Sequence, residues 1–228
     1  MKVMLLGATG LTGGQVLEGL LAREDVSSVV APVRRALPLN HEKLRQQEVD
    51  FDHLDEHSDL FAVDAIVCCL GTTIKKAGSR EQFRKVDYGY PMAAAELGRA
   101  NGAQVFVLMS AIASSSSSTV FYNRVKGELE DGIKSLGYPC LSIYQPSLLM
   151  GDRNEQRTAE ALGIKAMPFI NRALIGPLEK FRGIEAATVA RAMVNEVLAL
   201  AQQTPAQSNI RVHEYPDIVT LAAQGVAP

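Results

Sequence analysis

The chain has 228 residues, of which 47% are hydrophobic and 21% are charged, as in an ordinary soluble globular protein. Its formal net charge of −2 gives no electrostatic reason to expect nucleic acid or an anionic membrane as a partner. No apolar run approaches the roughly 18 residues of a membrane span, and the first apolar run is too short for a signal peptide. We therefore expect a cytoplasmic protein without a nucleic-acid or membrane partner.

Short apolar runs alternate with helical patterns, which is typical of a parallel sheet wound by helices. Strands are predicted within residues 2–6, 25–33, 46–51, 64–71, 103–110 and 139–146, and helices over residues 11–22, 80–102 and 119–137. Because these strands are too apolar to have one wet face, we predict an α/β fold with a doubly wound parallel sheet, the Rossmann type.

The rhythm changes after Pro146. Helices are predicted over residues 161–176 and 185–203, a strand over residues 209–215, and a terminal helix from Pro216. No linker divides the chain, so residues 1–228 are interpreted as one domain. Residues 147–228 are predicted to contribute a small lobe over the carboxyl edge of the sheet.

The cysteines and histidines show no spacing typical of a metal site, and none is expected. Three cysteines in apolar surroundings are predicted to be buried, reduced thiols; they are Cys68, Cys69 and Cys140. The four histidines are expected on the surface or in loops; they are His41, His53, His57 and His213.

The segment "GATGLTGG" directly follows the first strand and opens the first helix. Its glycines give G-x-x-G-x-x-G, a variant of the dinucleotide fingerprint in which small residues permit a sharp turn and a close approach to pyrophosphate. The free N–H groups of the helix start favour phosphate as well. The residues predicted to bind the cofactor here are Gly7, Thr9, Gly10, Leu11, Thr12 and Gly13. The alternative is a tight turn without a ligand.

An acidic residue about 20 residues past the glycines would bind the 2′-hydroxyl of NAD. Arg34 and Arg35 stand there instead, and two guanidinium groups suit a 2′-phosphate. The sequence therefore favours NADP(H), with NAD(H) possible. The alternative is a pair of solvated surface arginines.

Two later segments are predicted to line the same groove because they lie at carboxyl ends of strands. Asp50 and Phe51 close the third strand, where a carboxylate and a ring suit adenine. Leu70, Gly71 and Thr72 close the fourth, where a glycine permits close passage of the cofactor ribose. Each segment is also compatible with an ordinary loop.

Tyr122 and Lys126 are four residues apart on a predicted helix and project from one face. A free tyrosine titrates near 10, and a nearby ammonium favours its phenolate. Ser110, at the end of the fifth strand, is predicted to bond the substrate oxygen while Tyr122 exchanges its proton. An exposed Tyr–Lys pair without a function is the alternative.

Five serines, Ser114 to Ser118, join the strand that ends at Ser110 to the helix of Tyr122. We interpret them as a flexible rim of the substrate pocket inside one Rossmann unit. Ser115 is the second candidate for the catalytic serine.

The glycine loop, Ser110 and the run from Tyr122 to Lys126 together resemble the extended or atypical branch of the short-chain dehydrogenase/reductases. The segments "CCLGTT", "KAGS", "FYNRVKGELE" and "QPSLLMGDRNEQR" are closer still to the Tat-interacting-protein oxidoreductase subfamily. The resemblance implies a Rossmann fold, a Ser–Tyr–Lys site and an arginine pair associated with NADPH. It also implies that Pro146 and the backbone near Leu148 approach the nicotinamide.

The sequence departs from extended members at Gln145, where an arginine is common, and in its short C-terminal part, which disfavours a nucleotide-sugar substrate. Four basic residues either line an entrance for an anionic ligand or are solvated loop charges; they are Lys75, Lys76, Arg153 and Arg157. We expect an NADP(H)-dependent oxidoreductase for a small carbonyl or alcohol, with a homodimer left open. The alternative is a non-catalytic NADP(H)-binding regulator or redox sensor.

Overall fold

The structure is a computed structural model that describes residues 1–151, 171, 174–202 and 208–224. In the described residues the strands are β1 (Lys2–Leu6), β2 (Ser28–Val33), β3 (Leu44–Glu48), β4 (Ala65–Cys68), β5 (Val105–Met109), β6 (Cys140–Tyr144), β7 (Leu149–Met150), β8 (Ile184–Glu185) and β9 (Asn209–His213). Seven of them form one sheet in the order β3-β2-β1-β4-β5-β6-β9, with every neighbouring pair parallel. β7 and β8 form a separate two-stranded sheet.

The α-helices of the described residues are α1 (Leu11–Leu21), α2 (Ile74–Ala77), α3 (Arg80–Arg84), α4 (Tyr90–Ala100), α5 (Phe121–Ser135), α6 (Ala186–Ala201) and α7 (Tyr215–Ala223). Two 3₁₀ helices cover Phe51–Phe61 and Gly176–Phe181, and a π-helical turn covers Lys85–Gly89. None of the described helices has both the length and the apolar character that crossing a membrane requires.

Two apolar layers cover the sheet, one on each face. Val3 and Leu5 of β1 pack with α1, α6 and α7, whereas Met4 and Leu6 pack with α4, α5 and the 3₁₀ helix Phe51–Phe61. This division follows from the alternation of side chains along a strand. The predicted doubly wound parallel sheet is confirmed.

The third strand begins earlier than predicted, at Leu44, and ends at Glu48. The early end of the strand has a local cause. The carboxylate of Asp50 accepts the backbone N–H of Asp52 at 2.9 Å and caps the following 3₁₀ helix. The chain therefore leaves the strand before residue 50.

The helix predicted over residues 80–102 is confirmed from Arg80 to Ala100, but its hydrogen-bonding pattern changes in the middle. It consists of α3 and α4, joined by the π-helical turn Lys85–Gly89, in which Asp87 is buried. Turns of this kind are frequent at functional sites.

The part of the chain after residue 147 contributes to the seven-stranded sheet and its helices as well as to the small two-stranded sheet. β9 pairs with β6, α6 packs against α1, and the β7–β8 sheet is separate from the main sheet. The helix predicted over residues 161–176 lies largely outside the described residues, as do Arg153 and Arg157.

The cysteine prediction agrees with the structure, and one histidine prediction is wrong. All three cysteines are buried and free, and burial raises the pKa of the Cys68 thiol to about 11. His213 is buried at the end of β9, where its Nε2 atom lies 2.8 Å from the carboxylate of Glu196. Among the described residues no cluster of histidine, cysteine, aspartate or glutamate could hold a metal ion.

Candidate active site

The predicted site residues outside α5 all lie at the carboxyl edge of the main sheet. Because the seven strands are parallel, the segments that follow them emerge at this same edge. β1 lies between β2 and β4, so the chain winds away from β1 in two directions. A crevice at such a switch point is where doubly wound sheets bind their ligands.

The glycine loop passes close to the end of β4. Gly7 has a φ of +86°, and a Cβ atom there would lie 2.7 Å from the carbonyl carbon of Cys69. A Cβ atom on Gly13 would overlap the carbonyl oxygen of Gly7. Both positions therefore require glycine, and the start of α1 lies close against the loop.

The start of α1 offers backbone hydrogen-bond donors that have no acceptor within the helix. The amides of Leu11, Thr12 and Gly13 form the first turn, where N–H groups have no acceptor within the helix. Within the described residues, the buried hydroxyl of Thr12 has no hydrogen-bond partner, and the first turn contains no acidic residue. Thr9 and Gly10 are exposed beside it. These groups fit a diphosphate, which brings acceptor oxygens and negative charge to the positive end of the helix.

The residues predicted around the adenosine half of a dinucleotide differ in their exposure and in the contacts they already make inside the protein. Arg34 and Arg35 follow β2 directly, are exposed, and make no ion pair within the part of the chain that the structure describes. One carboxylate oxygen of Asp50 is used as the helix cap described above. The ring of Phe51 is buried, with its centroid 5.4 Å from that of Tyr90.

A polar cluster that the sequence interpretation missed lies next to Phe51. The carboxylate of Asp52 accepts from Lys85 Nζ at 2.6 Å and from the Tyr90 hydroxyl at 3.0 Å. The Lys85 hydrogen bond is the main reason that the pKa of Asp52 is lowered. This cluster connects the segment after β3 to the π-helical turn.

Lys126 is buried on α5 with a carboxylate beside it. Its Nζ atom lies 3.6 Å from Oδ1 of Asp87 and donates to the carbonyl oxygen of Met109 at 3.4 Å. The side chains of Lys126 and Asp87 are only 3% and 2% exposed. Oδ2 of Asp87 accepts the backbone N–H of Thr72 at 2.8 Å, so the pair is tied to the segment after β4.

The environment of Asp87 opposes its ionisation. Burial raises the pKa of this carboxyl, and the Lys126 ammonium and the Thr72 amide offset only part of that effect. A perturbed buried acid beside a lysine in a ligand crevice is a typical feature of functional sites.

Tyr122 lies one turn before Lys126 on α5 and is half-buried. Its ring centroid is 5.4 Å from that of Phe83, and the Phe83 ring also contacts Phe121 at 5.7 Å. The aromatic contact with α3 therefore holds the orientation of Tyr122.

The Ser110 hydroxyl is already engaged inside the protein. It donates to Oε1 of Glu130 at 2.5 Å, and the same carboxylate accepts from Nε2 of Gln145 at 2.9 and 3.0 Å. Ser110 is 7% and Glu130 3% exposed. The single proton of this hydroxyl is thus directed at Glu130 rather than at the crevice.

The serine segment follows a hydrogen-bonded path across α5. The Ser115 amide donates to the carbonyl oxygen of Asn123 at 3.1 Å, and the Ser116 hydroxyl donates to Asp131 at 2.7 Å. A Cβ atom on Gly127 would overlap the backbone of Ser115 and Ser116. Ser115 is exposed and lies beside the turn of α5 that carries Tyr122.

The residues expected near the nicotinamide tie the end of β6 to its neighbours. The carbonyl oxygen of Pro146 accepts from the Ile112 amide at 2.9 Å, and that of Leu148 accepts from the Ile184 amide at 2.9 Å. Leu70 and Thr72 are half-buried and Gly71 is exposed between β4 and α2. Lys75 and Lys76 lie on α2 at the surface.

Sequence reasoning missed the two buried acids of the site. Glu130 lies four residues after Lys126 and eight after Tyr122, so its spacing placed it on the same face of α5. Asp87 had no comparable signal, because its contact with Lys126 depends on the packing of the π-helical turn against α5.

Comparison with known proteins identifies the family of the chain. Residues 3–214 match the NAD dependent epimerase/dehydratase family. Protein HTATIP2 of Rattus norvegicus is 36% identical over 202 residues, which cover 87% of this chain and 81% of that protein. The mitochondrial protein fmp52 of Aspergillus clavatus is 34% identical over 215 residues, covering 91% and 92% of the two chains.

Solved structures share the fold at low sequence identity. MoeE5 in complex with UDP-glucose and NAD superposes with a TM-score of 0.66 at 15% identity, covering 98% of this chain and 81% of MoeE5. The oxidoreductase ylbE of Lactococcus lactis gives a TM-score of 0.67 at 18% identity, covering 99% and 96%.

The fold and the family match define an NAD(P)-binding Rossmann protein of the extended short-chain dehydrogenase/reductase type. The chain belongs to the NAD dependent epimerase/dehydratase family, and HTATIP2 and the FMP52 proteins are relatives of it. The prediction of an NAD(P)-dependent oxidoreductase is confirmed at this level.

Proposed function

We propose that the protein is an NADP(H)-dependent oxidoreductase that transfers hydride between the nicotinamide and a small carbonyl or alcohol substrate. The observation that carries the proposal is the buried Lys126 on the same face of α5 as Tyr122, beside the crevice at the carboxyl edge. Tyr122 exchanges a proton with the substrate oxygen, and Lys126 lies one helical turn further along the same face. The nicotinamide would supply or accept the hydride.

The glycine loop and the start of α1 are proposed to hold the diphosphate. Arg34 and Arg35 support NADP(H) over NAD(H), because these two exposed residues directly follow β2 and guanidinium groups suit a 2′-phosphate. Asp50 and Phe51 are proposed near the adenine. Leu70, Gly71 and Thr72 are proposed at the ribose, and Pro146 and Leu148 near the nicotinamide. The neighbour MoeE5 holds UDP-glucose; for this chain we propose a smaller substrate.

The acid–base role is tested by replacing Tyr122. Tyr122→Phe removes the exchangeable proton, so turnover of small aldehydes and ketones is expected to fall by at least about 100-fold. NADPH affinity, measured by fluorescence titration, is expected to stay near the parent value. Tyr138→Phe is the matched control, because Tyr138 precedes β6 and therefore lies at the opposite edge. Turnover by Tyr122→Phe at the parent rate would refute the assignment.

The cofactor preference is tested by comparing the affinities for NADPH and NADH. NADPH is expected to bind about tenfold more tightly than NADH, a difference of about 1.4 kcal/mol. Replacing Arg34 and Arg35 by alanine should remove that difference. Arg99→Ala, in the last turn of α4, should leave it unchanged. Equal affinities of the parent protein for the two cofactors would contradict the preference.

One observation favours a second candidate function, a regulator or redox sensor that binds NADP(H) without turnover. The proton of Ser110 is directed at Glu130, so the proposed serine does not offer a free donor to the crevice. Ser110→Ala and Ser115→Ala separate the possibilities. Loss of turnover in one variant identifies the serine that bonds the substrate, and a parent protein without turnover on any carbonyl or alcohol favours the regulator.

Location and assembly are also proposals. A cytoplasmic location is proposed from the sequence, although the fungal relatives are named as mitochondrial proteins. A homodimer is proposed for measurement by sedimentation. The net charge of −2 supports neither nucleic acid nor an anionic membrane as a partner.

A further inference from the structure

We propose that Gln46, on the edge strand β3, is a positioning residue for Arg34 and Arg35, the two arginines proposed to bind the 2′-phosphate of NADPH. The proposal rests on the cofactor preference in the proposed function and deepens it. Gln46 holds the backbone that follows the arginines and does not touch the cofactor. Its consequence is that selectivity for NADPH over NADH depends in part on a residue outside the binding residues.

The two arginines lie in a short exposed stretch that is anchored at both ends. Val33 ends β2, and its carbonyl oxygen accepts the Val49 amide at 2.9 Å. Leu37 is half-buried and packs against the apolar core. Arg34 and Arg35 are exposed between these two points. The chain therefore leaves the sheet just before the arginines and returns to the body of the protein just after them.

The second anchor depends on the side chain of Gln46. Its Oε1 atom accepts the Leu37 amide at 2.7 Å. Its Nε2 atom donates to the carbonyl oxygens of Leu37 at 3.3 Å and of Leu39 at 3.1 Å. One half-buried amide group thus makes three hydrogen bonds to the backbone of the loop.

A second side chain of β3 holds the peptide group next to the arginines. Glu48 lies two residues after Gln46 and therefore on the same face of the strand. Its Oε1 atom accepts the Ala36 amide at 3.1 Å, and this amide belongs to the peptide bond that Arg35 forms with Ala36. Within the part of the chain that the structure describes, the hydrogen bonds of residues 36–39 all go to these two side chains.

Holding the backbone matters because the arginines must meet a phosphate with their planar N–H groups. Pro38 fixes its own φ and disfavours a helical conformation of Leu37, but no proline restrains the arginines themselves. A loop that is already ordered loses less conformational entropy when its guanidinium groups bind. NADH has no 2′-phosphate, so its binding does not draw on this order.

The alternative is that Gln46 only ties the loop to an edge strand for stability. The two roles predict different results for the two cofactors. A purely structural role leaves the ratio of the NADPH and NADH affinities unchanged, because the loop then has no specific relation to the 2′-phosphate. A positioning role lowers the affinity for NADPH alone.

Titrations with NADPH and NADH test the proposal without any substrate. The chain has no tryptophan, so the emission of the reduced nicotinamide is followed directly. Gln46→Ala is expected to bind NADPH about fivefold more weakly than the parent, with the NADH affinity within about twofold. Gln47→Ala is the matched control, because Gln47 is the next residue of β3 and its Nε2 atom donates to the adjacent Glu48 carbonyl. It should leave both affinities unchanged.

A second background shows whether Gln46 acts through the arginines. In a protein that carries Arg34→Ala and Arg35→Ala, adding Gln46→Ala should not weaken NADPH binding further. An equal loss in that background would overturn the proposal. So would a Gln46→Ala protein that keeps the parent ratio of the two affinities.

Amide hydrogen exchange in the absence of cofactor reports on the loop itself. The Leu37 amide is expected to exchange at least about tenfold faster in Gln46→Ala and at the parent rate in Gln47→Ala. Unchanged exchange at Leu37 in Gln46→Ala would contradict the positioning role. Circular dichroism checks folding, and Gln46→Met, which keeps the length of the side chain without its hydrogen-bonding groups, carries the same expectations if the alanine variant does not fold.

These outcomes separate the role of Gln46 from the proposed function. Equal affinities of the parent for NADPH and NADH would refute the cofactor preference and this proposal with it. A parent preference that persists in Gln46→Ala would refute the positioning role alone. The titrations do not depend on turnover, so they remain valid whatever substrate the protein has.

Discussion

Two buried carboxylates lie near the carboxyl edge of the sheet, on opposite faces, and their surroundings differ. Glu196 of α6 accepts the Tyr144 hydroxyl at 2.7 Å, lies 2.8 Å from Nε2 of His213, and has a guanidinium nitrogen of Arg211 at 3.7 Å. Asp87, on the α5 face, has one cation at 3.6 Å and one backbone amide.

The pKa values of the two acids shift in opposite directions. Burial alone would raise the pKa of Glu196, but the hydrogen bond and charge of His213, with the Tyr144 hydroxyl, outweigh it and lower the pKa. Burial dominates at Asp87 and raises its pKa. The fully satisfied acid joins β6, β9 and α6, as a structural residue does, whereas the poorly satisfied acid lies beside the proposed chemistry.

The largest effect on stability is expected from Glu196→Gln. Removing the charge leaves His213 and Arg211 without their buried partner, so the free energy of unfolding at pH 7 should fall by about 3 kcal/mol. Glu179→Gln, which affects a partly exposed ion pair with Arg182, is the control and should cost less than about 1 kcal/mol. Urea denaturation measures both, and equal losses would contradict a structural role for Glu196.

The pH dependence of that loss follows from the lowered pKa of Glu196. A carboxyl with a depressed folded-state pKa stabilises the protein above its unfolded value of 4.5, and this contribution disappears as the pH falls through the folded value. The difference between the parent protein and Glu196→Gln should therefore shrink on acidification.

An intermediate effect is expected from Tyr144→Phe, with Tyr138→Phe as its counterpart on the other face. The Tyr144 hydroxyl donates to the carboxylate of Glu196, whereas that of Tyr138 donates to the neutral carbonyl of Ala95 at 2.6 Å. Because hydrogen bonds to charged groups contribute more, we expect losses of about 2 and about 1 kcal/mol in thermal or urea unfolding. A larger loss in Tyr138→Phe would indicate that the Glu196 cluster contributes little to stability.

The smallest effect on stability is expected from Asp87→Asn, within about 1 kcal/mol at pH 7. The lost attraction to Lys126 is largely offset because the variant no longer buries a carboxylate. Asp87 has a raised pKa, so its contribution is complete below the unfolded value of 3.8 and is lost as the pH rises through the folded value. Relative to the parent, Asp87→Asn should gain stability as the pH rises, opposite to Glu196→Gln. If the stability of both variants relative to the parent changed with pH in the same direction, the contrast between the two acids would be refuted.

The order of elements and the position of the site were predictable because their signals are local. The glycines at positions 7, 10 and 13 follow an apolar strand, and the spacing of Tyr122 and Lys126 places them on one helix face. Two details of single elements were missed. The Asp50 cap ended the third strand early, and the helix predicted over residues 80–102 contains a π-helical turn at Lys85–Gly89.

The sequence by itself determined a doubly wound sheet and a glycine loop at its carboxyl edge, because strand periodicity and glycine geometry act within a few residues. Only the tertiary structure decided the protonation environment. It placed Asp87 beside Lys126, directed the hydrogen bond of the Ser110 hydroxyl to Glu130, and buried His213 against Glu196. Each of these contacts joins residues far apart in the chain, and burial then fixes how strongly their charges act on one another.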